Sequence, residues 1–80
     1  MTIKELKKTQ HDYGYTNEEL IFIFKYFKER YDINYTWWAR ETSINQKTIY
    51  RILYGKTQRT NSKNRNLLTE VARNLIDRLM

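Results

Sequence analysis

The chain of 80 residues contains no cysteine, no proline, two glycines and one histidine. The lack of cysteine excludes disulfides, thiolate metal sites and cysteine nucleophiles, and a single histidine excludes a histidine-based metal cluster. No stretch approaches the roughly 18–20 consecutive apolar residues that a membrane span needs, and the N-terminal segment lacks the apolar centre of a signal peptide. These absences predict a small cytoplasmic protein without a metal or cofactor.

The scarcity of proline and glycine also bears on the fold. Few residues of the kind that interrupt helices are present, and no segment sustains the two-residue alternation of a half-buried strand. A chain of this length forms a single domain, and its 40% hydrophobic residues are enough for a core. We therefore predict one all-α domain over residues 1–80, a compact bundle of four or five helices.

Acidic residues are missing from one window, residues 45–66, which holds six lysines and arginines. The segments before and after it are each neutral in formal charge, so this window carries the whole net charge of +6. Such segregation favours a surface that faces a polyanion. A solvated basic stretch without a partner is the plainer alternative.

Capping residues and apolar spacing predict four firm helices, over 17–31, 35–42, 46–54 and 64–79. Thr16 and Glu19 form a capping box before the first helix. Asn45 is a favourable N-cap for the third helix, and Gly55 stops it. Between the third and fourth helices the chain reads as a polar, basic loop.

Residues 35–54 carry the main functional signal. They run Tyr-Thr-Trp-Trp-Ala-Arg-Glu-Thr-Ser-Ile-Asn-Gln-Lys-Thr-Ile-Tyr-Arg-Ile-Leu-Tyr. This segment resembles the helix-turn-helix of the phage-repressor (lambda-repressor and Cro-like) DNA-binding family. That family has a small residue at the fifth place, where this chain has Ala39. Its apolar fourth, tenth, fifteenth and eighteenth places are filled here by Trp38, Ile44, Ile49 and Ile52.

The segment departs from the family pattern at the ninth place, where Ser43 replaces the usual glycine of a turn with positive φ. A helix over 46–54 nevertheless has the expected two sides. Its inner side is apolar, and its outer side is basic and aromatic without an acid, carrying Lys47, Tyr50, Arg51 and Tyr54. Such a face suits the DNA major groove, where it meets phosphates and base edges together. Packing on the next helix is the alternative for the two tyrosines.

The resemblance implies roles for individual side chains. The family positions that contact bases correspond to Gln46, Lys47 and Arg51; glutamine pairs with adenine, and lysine or arginine with guanine. We expect contacts with the DNA backbone or sugar from Tyr35, Thr36, Asn45, Thr48, Tyr50, Lys56, Arg59, Lys63 and Arg65. For Thr48 and Tyr50, contact with a thymine methyl group is an alternative.

These features predict a sequence-specific regulator of transcription that binds double-stranded DNA, in the first place a repressor of the phage or mobile-element kind, associated with the nucleoid. Two alternatives stay open: a protein-interaction module, inhibitor or anti-repressor on the same fold, and an accessory factor in DNA architecture or recombination. Enzymatic action on a small-molecule substrate is not expected, because the chain has no catalytic residue set and no glycine-rich phosphate loop.

We also expect a homodimer on an inverted-repeat operator, because one recognition helix reads only a few base pairs. Its interface is expected in apolar surface outside the helix-turn-helix. The candidate contacts are Phe22, Tyr26, Ile76 and Met80.

Two features leave alternatives open. Residues 1–15 form either a basic arm or a short extra helix within 2–11, and His11 is expected to be an ordinary surface side chain. Trp38 is expected in the core. Trp37 points away from the core. Three alternatives stay open for it: cover by the N-terminal segment, contact with the DNA backbone, or contact with a second subunit.

Overall fold

A computed structural model describes residues 2–8, 14–54 and 62–79. These ranges form five helices: α1 (Ile3–Lys8), α2 (Asn17–Tyr31), α3 (Tyr35–Thr42), α4 (Gln46–Leu53) and α5 (Ser62–Leu79). The described part of the chain contains no strand, so the predicted all-α bundle of four or five helices is confirmed. None of these helices is long and apolar enough to cross a bilayer.

Helix α2 begins where its caps predict. Thr16 Oγ1 accepts a hydrogen bond from the backbone N–H of Glu19 at 3.2 Å. The Glu19 carboxylate accepts one from the backbone N–H of Thr16 at 2.9 Å. Asp32 ends the helix in the left-handed conformation, with φ 55°, and donates its backbone N–H to the carbonyl of Lys28 at 3.0 Å. Both ends of α2 are therefore fixed by local hydrogen bonds.

The turn between α3 and α4 has the conformation that the resemblance implies. Ser43 adopts φ 61° and ψ 17°, the left-handed region that favours glycine, at a cost of about 1–2 kcal/mol. Thr42 Oγ1 supports the turn, because it donates to the carbonyl of Trp38 at 2.7 Å and accepts from the N–H of Ile44 at 3.3 Å. Asn45 then caps α4, with its Oδ1 accepting from the N–H of Lys47 at 2.8 Å.

Two helix boundaries differ from the sequence prediction. Helix α4 ends at Leu53, and Tyr54 follows as its C-cap. Helix α5 begins at Ser62 instead of residue 64, because neither glycine nor proline interrupts the chain there. Lys63 is therefore helical and not part of the loop, whereas Gly55 lies outside the described residues.

The four helices from α2 through α5 share one hydrophobic core. The rings of Phe24 and Trp38 meet edge to face at 4.6 Å between centroids, and Trp38 is fully buried as predicted. Ile76 is also in this core, with 1% of its surface exposed. It is not available as a surface contact in this fold, which corrects its assignment to a dimer interface. The physical reason is that α1 packs against α5 and widens the buried face of α5.

The N-terminal segment is fastened to α5 through Tyr15. The buried Tyr15 hydroxyl donates to the carbonyl of Leu6 at 2.7 Å, and the Tyr15 backbone N–H donates to Thr69 Oγ1 at 2.9 Å. Gly14 has φ +84°, and a Cβ there would lie 2.6 Å from Thr69 Oγ1, so this position requires glycine. Ile3 and Leu6 are buried. The alternative of a short extra helix is therefore correct for residues 3–8, while His11 lies outside the described residues.

Candidate nucleic-acid interface

Helix α4 and its C-cap present one continuous stripe of exposed side chains, formed by Gln46, Lys47, Tyr50, Arg51 and Tyr54. Each member lies three or four positions from another member, so they share one face of the helix. The opposite face buries Ile49 and Ile52 in the core. The two-sided helix that the sequence predicts is present, and its inner side fixes the orientation of its outer side.

Tyr35, the first residue of α3, meets this stripe from the side. Its ring lies edge to face against Tyr50, with 5.8 Å between centroids, and Tyr50 in turn lies 4.4 Å from Tyr54. The tyrosines thus form a row across the junction of the two helices. Tyr50 is 44% exposed and Tyr54 is 55% exposed. The alternative that these two residues pack on the next helix is therefore wrong for the described part of the chain.

A notch of about 380 Å³ opens between the start of α3 and the outer face of α4. Its lining residues are Tyr35, Gln46, Lys47, Tyr50 and Arg51. All three side chains predicted to read bases line this notch, together with two of those predicted to contact the DNA backbone or sugar. The lining contains two cations and no acid, so its potential is positive and suits an anionic partner.

The other predicted backbone contacts are less concentrated. Thr36 and Asn45 are exposed at the N-terminal ends of α3 and α4, and Thr48 is half-buried. Lys63 is exposed in the first turn of α5. Arg65 is half-buried, and its Nε atom is buried without a hydrogen-bond partner among the described residues. Lys56 and Arg59 lie outside the described residues.

Sequence reasoning missed two lysines of α2. Lys25 and Lys28 are exposed and line a second cavity, of about 180 Å³, together with Asn34, Tyr35 and Tyr54. They were overlooked because they belong to a segment whose formal charge is zero. The signal that would have found them is their spacing, since residues three apart lie on the same side of a helix. The fold extends the positive surface from α4 to α2.

The remaining candidate residues lie elsewhere. Trp37 is half-buried and lines a cavity of about 90 Å³ together with side chains of α5, so among the described residues α5 is the helix that lies beside it. Phe22 and Tyr26 are half-buried and pack against the core, and the Arg30 guanidinium lies 5.5 Å from the centre of the Tyr26 ring. Met80 lies outside the described residues.

Comparison with protein-family models, with curated proteins and with solved structures finds no significant match to this chain. Among the described residues, no three acidic or histidine side chains come together in a way that could hold a metal ion.

Proposed function

We propose that this protein is a sequence-specific DNA-binding regulator of transcription, in the first place a repressor of the phage or mobile-element kind. In this proposal α4 lies in the major groove of double-stranded DNA. The observation that supports it best is the notch, where Gln46, Lys47 and Arg51 converge on one exposed surface without an acid. Side chains of these types match the hydrogen-bonding groups of adenine and guanine in the major groove.

The dimensions of α4 suit this role. An α-helix with its side chains is about 10–12 Å across, which fits the width of the major groove, about 12 Å. The eight residues of α4 give it a length of about 12 Å. Asn45 fixes the N-terminal end of α4, and Ile49 and Ile52 anchor its inner side. These contacts hold the outer side chains of α4 in fixed positions opposite the base edges, while α3 lies across the DNA backbone.

A homodimer on an inverted-repeat operator, in the nucleoid, completes the proposal. One α4 helix covers only a few base pairs, and a second copy one helical turn away supplies the remaining specificity. Phe22, Tyr26 and Met80 remain the interface candidates.

A second candidate function is the binding of an acidic protein surface. Exposed tyrosine and arginine side chains are enriched in the energetic centres of protein interfaces. The row formed by Tyr35, Tyr50 and Tyr54 beside Arg51 has this composition.

The decisive experiment compares the cations of the notch with two cations that the sequence predicts to contact the DNA backbone. Duplexes selected from a random pool are titrated with Arg51→Ala and Lys47→Ala, and with the controls Lys63→Ala and Arg59→Ala, against scrambled duplexes at several salt concentrations. Loss of a base contact should cost about 1–3 kcal/mol on the selected duplex alone. Loss of a phosphate contact should weaken binding to both duplexes and lower the salt slope by about one.

The outcomes separate the candidates. A reduced ratio of specific to non-specific affinity for the two notch variants supports the proposal. Equal losses for all four variants on both duplexes would reduce the basic surface to an electrostatic patch. No binding to any duplex would exclude DNA as the partner and favour the acidic protein.

A further inference from the structure

The notch on the α4 face is more apolar than its residue types suggest. Three of its five lining side chains are polar or charged, yet most of the exposed lining surface is apolar. The Tyr35 and Tyr50 rings, in edge-to-face contact at 5.8 Å, contribute to this surface together with the aliphatic stems of the other lining side chains. The hydrogen bonds to base edges proposed above do not use this apolar surface.

Burial of this apolar surface would require an apolar group on the DNA. In the major groove, the base edges present hydrogen-bond donors, acceptors and a single apolar group, the 5-methyl group of thymine. Phosphates are unsuited to an apolar surface because they would lose hydration there. The partner that fits the carbon surface of the notch is therefore a thymine methyl.

The polar neighbours of the two rings are consistent with this partner. Gln46 lines the same notch, and a glutamine side chain pairs with the N6 and N7 atoms of adenine. Adenine and thymine of one base pair present these atoms and the methyl group side by side on one groove edge. Lys47 and Arg51 flank the notch and suit guanines nearby.

We infer that the notch lined by Tyr35 and Tyr50 binds thymine methyl groups and thereby selects A·T pairs next to the bases contacted by Lys47 and Arg51. This inference rests on the proposed function, since it names a base that the same face recognises. The ring of Tyr50 makes the contact, and its hydroxyl is not required.

The test removes methyl groups from the DNA one at a time. In a duplex selected by the wild-type protein, each thymine is replaced by uracil, which lacks only the 5-methyl group. At one or two positions per half-site, each single replacement should weaken wild-type binding about four-fold, which corresponds to the free energy of burying one methyl group. Tyr50→Ala should bind the thymine and uracil duplexes equally, and Tyr35→Ala should reduce the difference.

Two further variants separate the ring from other effects. Tyr50→Phe keeps the ring, so the difference in affinity between the thymine and uracil duplexes should stay unchanged. If Tyr50 contacted a phosphate through its hydroxyl, this variant would lose that contact. Tyr31→Ala removes a tyrosine that is 42% exposed and lines neither cavity of the α4 face, and it should also keep the difference. Circular dichroism confirms that each variant is folded.

The inference is overturned if selected duplexes contain no thymine in the half-sites, if no uracil replacement weakens binding, or if Tyr50→Ala and Tyr35→Ala keep the full difference. In each of these cases the proposed function is still supported if the wild-type protein prefers the selected duplex to the scrambled one. Absence of that preference is the separate result that rejects the proposed function.

Discussion

Tyr15 and Tyr50 show two opposite environments for the same side chain. Tyr15 is fully buried, its hydroxyl donates to the carbonyl of Leu6 at 2.7 Å, and the Arg73 guanidinium lies 5.5 Å from its ring centre. Tyr50 is 44% exposed, and the described rings that it contacts are the half-buried Tyr35 and the exposed Tyr54. The surroundings of Tyr15 explain its presence through the fold. The surroundings of Tyr50 do not show a comparable contribution to the fold, and this supports the proposal that the α4 face binds a partner.

The two regions also differ in how the chain assembles them. The Tyr15 corner joins residues far apart in sequence, because Tyr15 bonds to Thr69, 54 positions later. The α4 stripe is contained in nine consecutive positions, 46–54, and needs from the rest of the fold only a support for its inner side. Mutations at the first region should therefore change stability, and mutations at the second should change binding.

The largest effect is expected from truncating Tyr15, with the truncation of Tyr50 as its comparison. Tyr15→Ala leaves a cavity in the core and removes the hydrogen bond to the Leu6 carbonyl, and should lower the free energy of unfolding by about 3–5 kcal/mol. Tyr50→Ala should change it by no more than about 0.5 kcal/mol, as for other surface substitutions. Urea unfolding followed by circular dichroism measures both values. Similar losses of stability for the two variants would contradict the contrast between these regions.

A smaller effect is expected from the Tyr15 hydroxyl alone. Tyr15→Phe removes its hydrogen bond to Leu6 and should cost about 1 kcal/mol at neutral pH. Burial raises the pKa of Tyr15 above its ordinary value of 10.0, and Arg73 opposes this shift only in part.

The raised pKa gives the hydroxyl a pH signature. Above pH 10 the tyrosine ionises in the unfolded chain while it stays protonated in the folded one, so the stability of the wild-type protein falls as the pH rises through this window. Tyr15→Phe lacks this contribution. Its stability deficit should be constant below pH 10 and shrink above it, as measured by urea unfolding across pH 7–11. A deficit that stays constant throughout would show that Tyr15 is not desolvated.

The smallest effect, on the salt dependence of binding, is expected at the border of the α4 face. Lys25 and Lys28 line the cavity next to Tyr35 and Tyr54. The double variant Lys25→Gln, Lys28→Gln should lower the slope of log affinity against log salt concentration by about two, equally for selected and scrambled duplexes. Its stability should be unchanged within about 0.5 kcal/mol.

The control for the α2 lysines is the double variant Lys4→Gln, Lys7→Gln on α1. These lysines have the same three-residue spacing and are exposed, but they lie on the helix that packs against α5. The slope should stay at the wild-type value in this variant. If both double variants lower the slope equally, the effect is one of total charge and not of position.

Much of the helical framework and the outer face of α4 could be predicted from the sequence alone. The capping box of Thr16, the Asn45 cap and the left-handed Ser43 all involve bonds or torsions within a few residues, so they are encoded locally. The same holds for the division of α4 into two sides, because a helix repeats every 3.6 residues.

Only the tertiary structure decided which surfaces those helices cover or bring together. It buried Ile76 in the core, placed Trp37 against α5 and brought Lys25 and Lys28 of a neutral segment beside α4. It also fixed Tyr15 through Leu6 and Thr69. Helical periodicity shows which residues share a side of one helix. Which helix covers that side depends on packing between distant segments, and local spacing carries no record of it.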